Sequence, residues 1–411
     1  MCTAGMRVVV IALVVALGDG SNRLRLLFDR LTGGATRPGV DASPQLVPLD
    51  SEDVARYFER GELEELCSAL RDHFGRTARA LGPVESKLPL RPELVAKGAG
   101  STYSSAYKLD HDIEQLEYLS ERNATLRAWL EARDVLGRFR RVRSRIPDVS
   151  QLSRTKGLWG FRPDDTEDIG EYYNRAIHVP DPEPVGRMLQ VLSFEGADEK
   201  FQRGEPIVVD DALTPEALDQ IRGLVLESTV FYETKMPEVF GGYVGAIVED
   251  GLHARALLKL ADDLRKALPK TFADHPLAYL WCYKYDSQYK GIKVHADEAA
   301  VNVNIWLTPD DANLDKDRGG LVVYTAKPGE AASADEYNSR GDEFAAQLLE
   351  ETNYENVTVP YKQNRIVIFD SALYHKTDDF RFKPGYENRR INLTFLFGKM
   401  RKGGPPPPPD L

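Results

Sequence analysis

The sequence predicts an α+β protein, with a mainly helical N-terminal region followed by a C-terminal region of many short strands. Three observations carry that prediction. Between residues 51 and 136, apolar residues recur at helical spacing. From about residue 277 onward, short runs rich in β-branched and aromatic residues are separated by turn residues. Most of these runs follow one another with no helix between them, which argues for a sandwich or barrel.

The elements read in order as follows. Ser51 reads as an N-cap. Val54, Phe58, Leu63, Leu66, Cys67, Leu70 and Phe74 follow at helical spacing, with Gly61 as a break. Residues 80–107 carry no clear pattern. Asp110 is placed to cap a second helical stretch, whose stripe is Ile113, Leu116, Leu119, Leu126, Trp129, Leu130 and Leu136. No 34-residue self-similarity appears, so a repeat solenoid is not supported. Residues 146–186 are rich in Pro, Asp and Gly and read as a surface wrap. Pro206–Asp210 reads as a strand. Thr214-Pro215-Glu216 then supplies an N-cap, a proline at the first helical position and an acid in the first turn, with Leu218, Ile221, Leu224 and Val225 on one face. Another helix is expected near Leu257–Leu268. Strands are expected at Leu277–Tyr285, Val301–Leu307, Leu321–Tyr324, Val357–Tyr361, Arg365–Phe369 and Ile391–Phe397. One helical insertion is expected at Asp335–Thr352, on Phe344, Leu348 and Leu349.

The organisation is a candidate signal peptide over residues 1–18, a linker over 19–50, a mainly helical region over 51–186, a strand-rich region over 187–400 and a proline-rich tail over 401–411. Val8–Leu17 is an apolar run too short to span a bilayer, and it fits both a signal-peptide core and a buried strand. The first reading implies the secretory pathway or the extracellular space, the second the cytoplasm. No stable membrane span is expected. The tail, Gly403-Gly-Pro-Pro-Pro-Pro-Pro-Asp-Leu411, reads as a solvated polyproline segment. Asn123-Ala-Thr and Asn356-Val-Thr are glycosylation sequons, tripeptides that also arise by chance.

Composition narrows the function. The chain has 411 residues, 42% hydrophobic and 28% charged, which is the make-up of a globular protein with a core. Its net charge of −11 disfavours a nucleic-acid partner. The basic run Arg138–Arg145 reads as a solvated helix end, the alternative being a dock for an acidic partner. Cys2, Cys67 and Cys282 form no C-x-x-C pair, which argues against a zinc or dithiol centre. Cys67 and Cys282 both read as buried, and a disulfide between them stays open.

The chemistry gathers near the C-terminus. His295-Ala-Asp297 places two metal-ligating side chains on one side of an extended segment. Two His and one carboxylate on one face are a common way to hold iron(II) for O₂ chemistry, and His375, after the Arg365–Asp370 strand, supplies the third ligand. Asn302, Asn304 and Trp306 alternate with Val301, Val303, Ile305 and Leu307. Arg390, Asn392 and Thr394 alternate with Ile391, Leu393, Phe395 and Phe397. An Arg on the polar face of a core strand needs a partner, and a dicarboxylate ligand would provide one through a bidentate contact. The other histidines, His73, His111, His178, His253 and His275, read as surface or capping residues.

The order His295-x-Asp297, Gly319-Gly320-Leu321, Phe369-Asp370…His375, Arg390-x-Asn392 resembles the 2-oxoglutarate/Fe(II)-dependent oxygenase superfamily, in its prolyl-4-hydroxylase-like branch, over about residues 204–400. The resemblance implies a double-stranded β-helix, or jelly roll, with flanking helices. It implies Fe(II) on His295, Asp297 and His375, 2-oxoglutarate as co-substrate, and O₂. Arg390 then matches the anchor for the far carboxylate, with Asn392 as a polar helper and Tyr283 or Tyr285 as an aromatic hydroxyl at the co-substrate. Asn304 joins the candidate site from the same polar face. Arg389 competes for the anchor role, but it falls in phase with the apolar face. Prolyl hydroxylases proper carry Lys at the anchor, which weighs against proline as substrate. The implied reaction is hydroxylation of a protein side chain or small molecule, with release of succinate and CO₂. The competing readings are a non-catalytic jelly-roll sensor for a carboxylate or sugar, and a cupin-like metal enzyme of another class. Neither the substrate nor the oligomeric state is legible.

Overall fold

A computed structural model of the chain describes residues 51–76, 103–190, 194, 196–272, 274–287, 291–328 and 341–399. The candidate signal segment, the linker and the proline tail lie outside the described residues. The first helices are α1 (Ser51–Glu59) and α2 (Leu63–Arg76), separated at Gly61, whose positive φ of 72° suits glycine. Three more, α3 (Ala106–Arg122), α4 (Ala124–Glu131) and α5 (Val135–Arg145), make up the second helical stretch. Further on come α6 (Pro215–Glu227), α7 (Arg255–Ala267) and α8 (Gly341–Glu351). Among the described residues no helix is long and apolar enough to cross a membrane.

The strands are antiparallel. Ten of them build two sheets: β3 (Ile207–Val209), β4 (Glu233–Thr234), β5 (Tyr243–Ile247), β6 (Leu277–Tyr285), β7 (Val301–Trp306), β8 (Leu321–Tyr324), β9 (Asn356–Val359), β10 (Ile366–Asp370), β11 (His375–Thr377) and β12 (Arg390–Phe397). A small hairpin-like pair, β1 (Tyr103–Ser104) with β2 (Trp159–Gly160), stands apart. The large sheet has the order β3-β10-β7-β12-β6-β5-β4, and the small one β11-β8-β9. Strand β12 is the spine of the large sheet, paired with β6 on one side and β7 on the other.

The alternation read from the sequence sorts the two faces. Val301, Val303, Ile305, Ile391, Leu393, Phe395 and Phe397 pack with Leu224 of α6, Leu257 and Leu264 of α7, and Val54 and Phe58 of α1. Each such side chain contributes about 1.5–3 kcal/mol on burial. The opposite face turns Trp306, Val367 and Phe369 toward Leu321 and Val323 of β8 and Val359 of β9. A separate core, built on Leu116, Leu119, Leu126, Leu130, Phe139, Trp159 and Ile169, holds α3, α4 and α5 together.

Several local expectations are corrected. Ser105, not Asp110, caps α3, its side chain accepting from the Lys108 amide at 3.2 Å; Asp110 lies inside the helix and pairs with Arg143. His111 and His253 are buried rather than at the surface. The ring of His111 sits between Phe231 and Tyr386, and burial holds it well below the ordinary histidine range, so it is neutral. Cys67 and Cys282 are both buried and unpaired. The basic run is satisfied within the chain: Arg140 pairs with Glu117, Arg141 with Asp134, Arg143 with Asp110, and Arg145 with Asp165 and Asp168. Strands β4, β5 and β11 carried no clear run of their own. They form because neighbouring strands offer them hydrogen bonds.

Candidate metal centre

His295 and His375 face each other across an antiparallel bridge, with backbone hydrogen bonds in both directions (His295 N to His375 O 3.0 Å, His375 N to His295 O 2.8 Å). Directly opposite residues point the same way, and the two rings lie 4.2 Å apart. Asp297, two residues along, returns to the same side, its amide bonded to Ser371 O at 3.1 Å. Ala296 points the other way, into an apolar cluster with Val322, Tyr324 and Tyr374. The strand alternation thus gathers three donors whose ligating atoms all lie within 4.8 Å of one another.

The donor set fits a divalent metal. Each imidazole Nδ1 donates to a backbone carbonyl, His295 to Lys293 O at 2.8 Å and His375 to Leu373 O at 2.9 Å. That fixes the tautomer and leaves both Nε2 lone pairs free. Those atoms turn toward the carboxylate: His375 Nε2 lies 3.4 Å and His295 Nε2 3.8 Å from an Asp297 oxygen. Burial, and then the neighbouring His375, bring His295 down to about 4, so it is neutral near pH 7. Burial pushes the Asp297 carboxyl up, but the adjoining His375 and His295 and the hydrogen bond donated by Asn302 outweigh it and leave it below the ordinary carboxylate range.

An amide relay leads from this carboxylate across the sheet. Asn302 Nδ2 donates to Asp297 Oδ2 at 2.7 Å, and Asn304 Nδ2 donates to Asn302 Oδ1 at 2.7 Å. Asn304 Oδ1 in turn accepts from Asn392 Nδ2 at 2.7 Å and Thr394 Oγ1 at 3.0 Å. Asn392 and Thr394 share their face of β12 with Arg390.

Arg390 is 1% exposed and lies within a box of four rings, Tyr285 at 5.0 Å, Trp306 at 5.7 Å, Phe380 at 5.7 Å and Tyr361 at 6.0 Å. Its Nε and Nη2 donate to the carbonyls of Gly319 at 2.7 Å and Gly320 at 3.0 Å. A Cβ on Gly320 would sit 1.9 Å from Val359 O, so only glycine lets this backbone close on the guanidinium. Three buried polar atoms around Arg390 have no hydrogen-bond partner: Arg390 Nη1, Trp306 Nε1 and Asn392 Oδ1. A buried guanidinium with an unpartnered N–H, 5.7 Å from a ring whose indole N–H is also unpartnered, has the chemistry to receive an anion. Arg389 differs. It bonds Glu114 at 2.9 and 3.0 Å and approaches Asp286 at 3.4 Å, so its charge is already balanced.

The chain is similar to 2-oxoglutarate-dependent oxygenases of known structure. HygX from Streptomyces hygroscopicus, with nickel and 2-oxoglutarate bound, is 12% identical with a TM-score of 0.36; the match covers 50% of this chain and 87% of that one. The carbocyclase SnoK from nogalamycin biosynthesis, described as non-heme and alpha-ketoglutarate-dependent, is 12% identical over 53% of this chain and 87% of its own, with a TM-score of 0.37. A prolyl-4-hydroxylase from Pseudomonas putida is 11% identical over 50% and 98%, with a TM-score of 0.34. No family model matches the chain, and no curated protein does.

The structure brings together His295, Asp297 and His375, and it joins Asn304 and Asn392 to them through the relay. Tyr285 belongs to the Arg390 box, whereas Tyr283 stands one step further along β6, opposite Asn392. Sequence reasoning missed Trp306, Tyr361 and Phe380 as walls of that box. Trp306 was legible in principle, since it is in phase with Asn304. Tyr361 closes the strand expected over Val357–Tyr361, but the observed strand stops at Val359, and Phe380 lies outside any strand.

Proposed function

We propose that this chain is an Fe(II)- and 2-oxoglutarate-dependent oxygenase on a double-stranded β-helix, acting on a protein side chain or a small molecule. The observation that carries the reading is the pairing of a two-His, one-carboxylate cluster with a buried arginine lacking a carboxylate partner, with the Asp297–Asn302–Asn304–Asn392 amide relay running between them. A sensor for a carboxylate would need the arginine alone. The presence of both favours catalysis.

The residues divide the work. His295, Asp297 and His375 hold the metal, with their orientation set by Lys293 O, Leu373 O and Asn302. Arg390 and Trp306 receive the far carboxylate of 2-oxoglutarate through the idle Nη1 and Nε1 donors, and the aromatic walls keep water out. When bound, iron(II) with 2-oxoglutarate and O₂ supplies oxidative decarboxylation to succinate and CO₂ coupled to oxidation of a substrate C–H bond.

Replacing His295 by alanine removes a ligand while leaving the Arg390 box intact. Fe(II)-dependent conversion of 2-oxoglutarate to succinate is expected to fall to background in His295→Ala. Wild-type-level turnover in that variant would overturn the proposal. Independently, anaerobic addition of Fe(II) and 2-oxoglutarate to the wild-type chain is expected to raise a weak visible charge-transfer band.

A further inference from the structure

All the amides of the relay point one way, and the Asp297 carboxylate sets the direction. A carboxylate only accepts hydrogen bonds, so Asn302 gives it Nδ2, 2.7 Å from Oδ2. That turns Asn302 Oδ1 toward Asn304, which gives its own Nδ2 at 2.7 Å. Asn304 Oδ1 then accepts from two donors on β12, Asn392 Nδ2 at 2.7 Å and Thr394 Oγ1 at 3.0 Å. Asn392 Nδ2 also donates to Thr394 Oγ1 at 2.9 Å, which leaves the hydroxyl proton for Asn304. Both N–H groups of Asn392 are therefore committed. Its remaining atom, Oδ1, has no hydrogen-bond partner and can only accept. A bound carboxylate also only accepts. In this orientation Asn392 has nothing to give the far carboxylate of a ligand held by Arg390.

Asn302 depends on this chain of amides. It is fully buried, with Phe369 opposite it on β10 and Leu396 opposite it on β12, and neither side chain can hydrogen-bond. Ser371 fixes the backbone of Asp297, its carbonyl accepting from Asp297 N at 3.1 Å and its hydroxyl donating to Asp297 O at 3.3 Å. Those bonds place the start of the Asp297 side chain but do not turn its carboxylate. The last torsion of an asparagine is broad, so rotamer preference does not choose between the amide of Asn302 and its flipped form. With Asn304 present, a flip of Asn302 sets oxygen against oxygen at Asp297 and N–H against N–H at Asn304. Without Asn304, resistance comes from the Asp297 end alone. The bonds all run in one sense inside a buried interior, so each polarises the next. Asn304 bonds none of the three metal ligands directly, yet it holds the residue that holds one of them. Its own orientation is held in turn by Asn392 and Thr394, the second of which lies directly opposite it across the sheet.

We propose that Asn304 is a positioning residue of the metal centre, acting on Asp297 through Asn302 and held in its working orientation by Asn392 and Thr394, so that Asn392 serves the metal carboxylate and not the co-substrate. This rests on the oxygenase reading only in taking His295, Asp297 and His375 as metal ligands. The test therefore reads metal binding alone: Mn(II) is titrated calorimetrically into the metal-free full chain, without 2-oxoglutarate. The wild-type chain is expected to bind Mn(II), and His295→Ala is the reference for a broken centre. Asn302→Ala is expected to weaken binding about tenfold or more, Asn304→Leu about fivefold, and Asn392→Ala combined with Thr394→Val about threefold. The deciding arm is Asn304→Leu placed in the Asn302→Ala background, where it is expected to cause no further loss, because its effect passes through Asn302. A purely structural role for Asn304 would lower the melting temperature and weaken Mn(II) equally in both backgrounds. Asn304→Ala, which adds no bulk, repeats each arm if the leucine variant does not melt cooperatively. Unchanged Mn(II) affinity in the Asn304 variants, equal losses with and without Asn302, or no loss in the Asn392/Thr394 double variant would each refute the assignment and leave the metal centre standing. A wild-type chain that binds Mn(II) no better than His295→Ala would refute both.

Discussion

At the residue scale, Arg390 carries a burial cost that the protein itself does not offset. Burial, the dominant influence, pulls its guanidinium below the ordinary arginine range, and no carboxylate bonds it in return. Lysine in its place keeps the charge but loses the planar fork that spans Gly319 O, Gly320 O and a bound carboxylate. Arg390→Lys is therefore expected to weaken 2-oxoglutarate binding by about 10–100-fold, roughly 1.4–2.7 kcal/mol, while metal binding is retained. Anaerobic titration of the charge-transfer band measures this, and an unchanged co-substrate affinity would remove Arg390 from the anchor role. Asp165 is a structural counterpart. Its buried carboxylate accepts from Arg145 Nη1 at 2.9 Å, Trp159 Nε1 at 3.0 Å and the Arg162 amide at 3.0 Å. Burial raises its pKa, and the hydrogen bonds outweigh that to leave it lowered. A lowered folded-state value gives stability that is present above the unfolded-state pKa of about 3.9 and is lost as pH falls below it. Asp165→Asn is expected to cost about 1.5–3 kcal/mol at pH 7 and progressively less below about pH 4. Denaturant melts at pH 7 and pH 3.5 compare the two.

At the scale of elements, α3 reaches the rim of the candidate site. Gln115 donates to the carbonyls of Leu226 at 3.0 Å and Ser228 at 2.8 Å, and Glu114 neutralises Arg389 next to the anchor residue. Asp286, directly after Tyr285, takes the other side of Arg389. One three-membered ion network thus ties the helix to the ends of β6 and β12. Glu114 is 35% exposed, so solvent screening discounts the pair. Glu114→Ala is expected to lower stability by about 1–2 kcal/mol, because Asp286 still faces the buried guanidinium. Thermal melts check the magnitude. A loss no larger than a surface substitution gives would mean that Arg389 is balanced without the helix.

At the scale of the whole molecule, α1 and α2 lie far before the sheet in sequence but pack in its core. Val54, Phe58, Leu66 and Leu70 share one apolar cluster with β6, β7 and β12, and the Phe58 ring meets Phe397 edge-on at 6.3 Å. A fragment of residues 187–399 would expose that face and also the sites that Glu114 and Gln115 fill. It is expected to lack a cooperative thermal transition, whereas residues 51–399 unfold cooperatively. Differential scanning calorimetry of both distinguishes the outcomes.

The sequence by itself determined what depends on local alternation. The two-residue period placed His295 with Asp297, Asn302 with Asn304 and Arg390 with Asn392, and the apolar residues between them face the helices as expected. The helical spacings and the Thr214 cap are equally local, and the structure carries that cap as a 3.2 Å bond to Ala217 N. Only the tertiary structure decided what depends on which segments meet. The opposition of His295 and His375 is a contact between segments far apart in sequence, as is the pairing of Arg389 with Glu114 on α3. The burial of His111 and the packing of α1 beneath β12 follow the same logic. A side chain's period is written in its neighbours, but its partner comes from distant chain brought close by the shared burial of apolar surface.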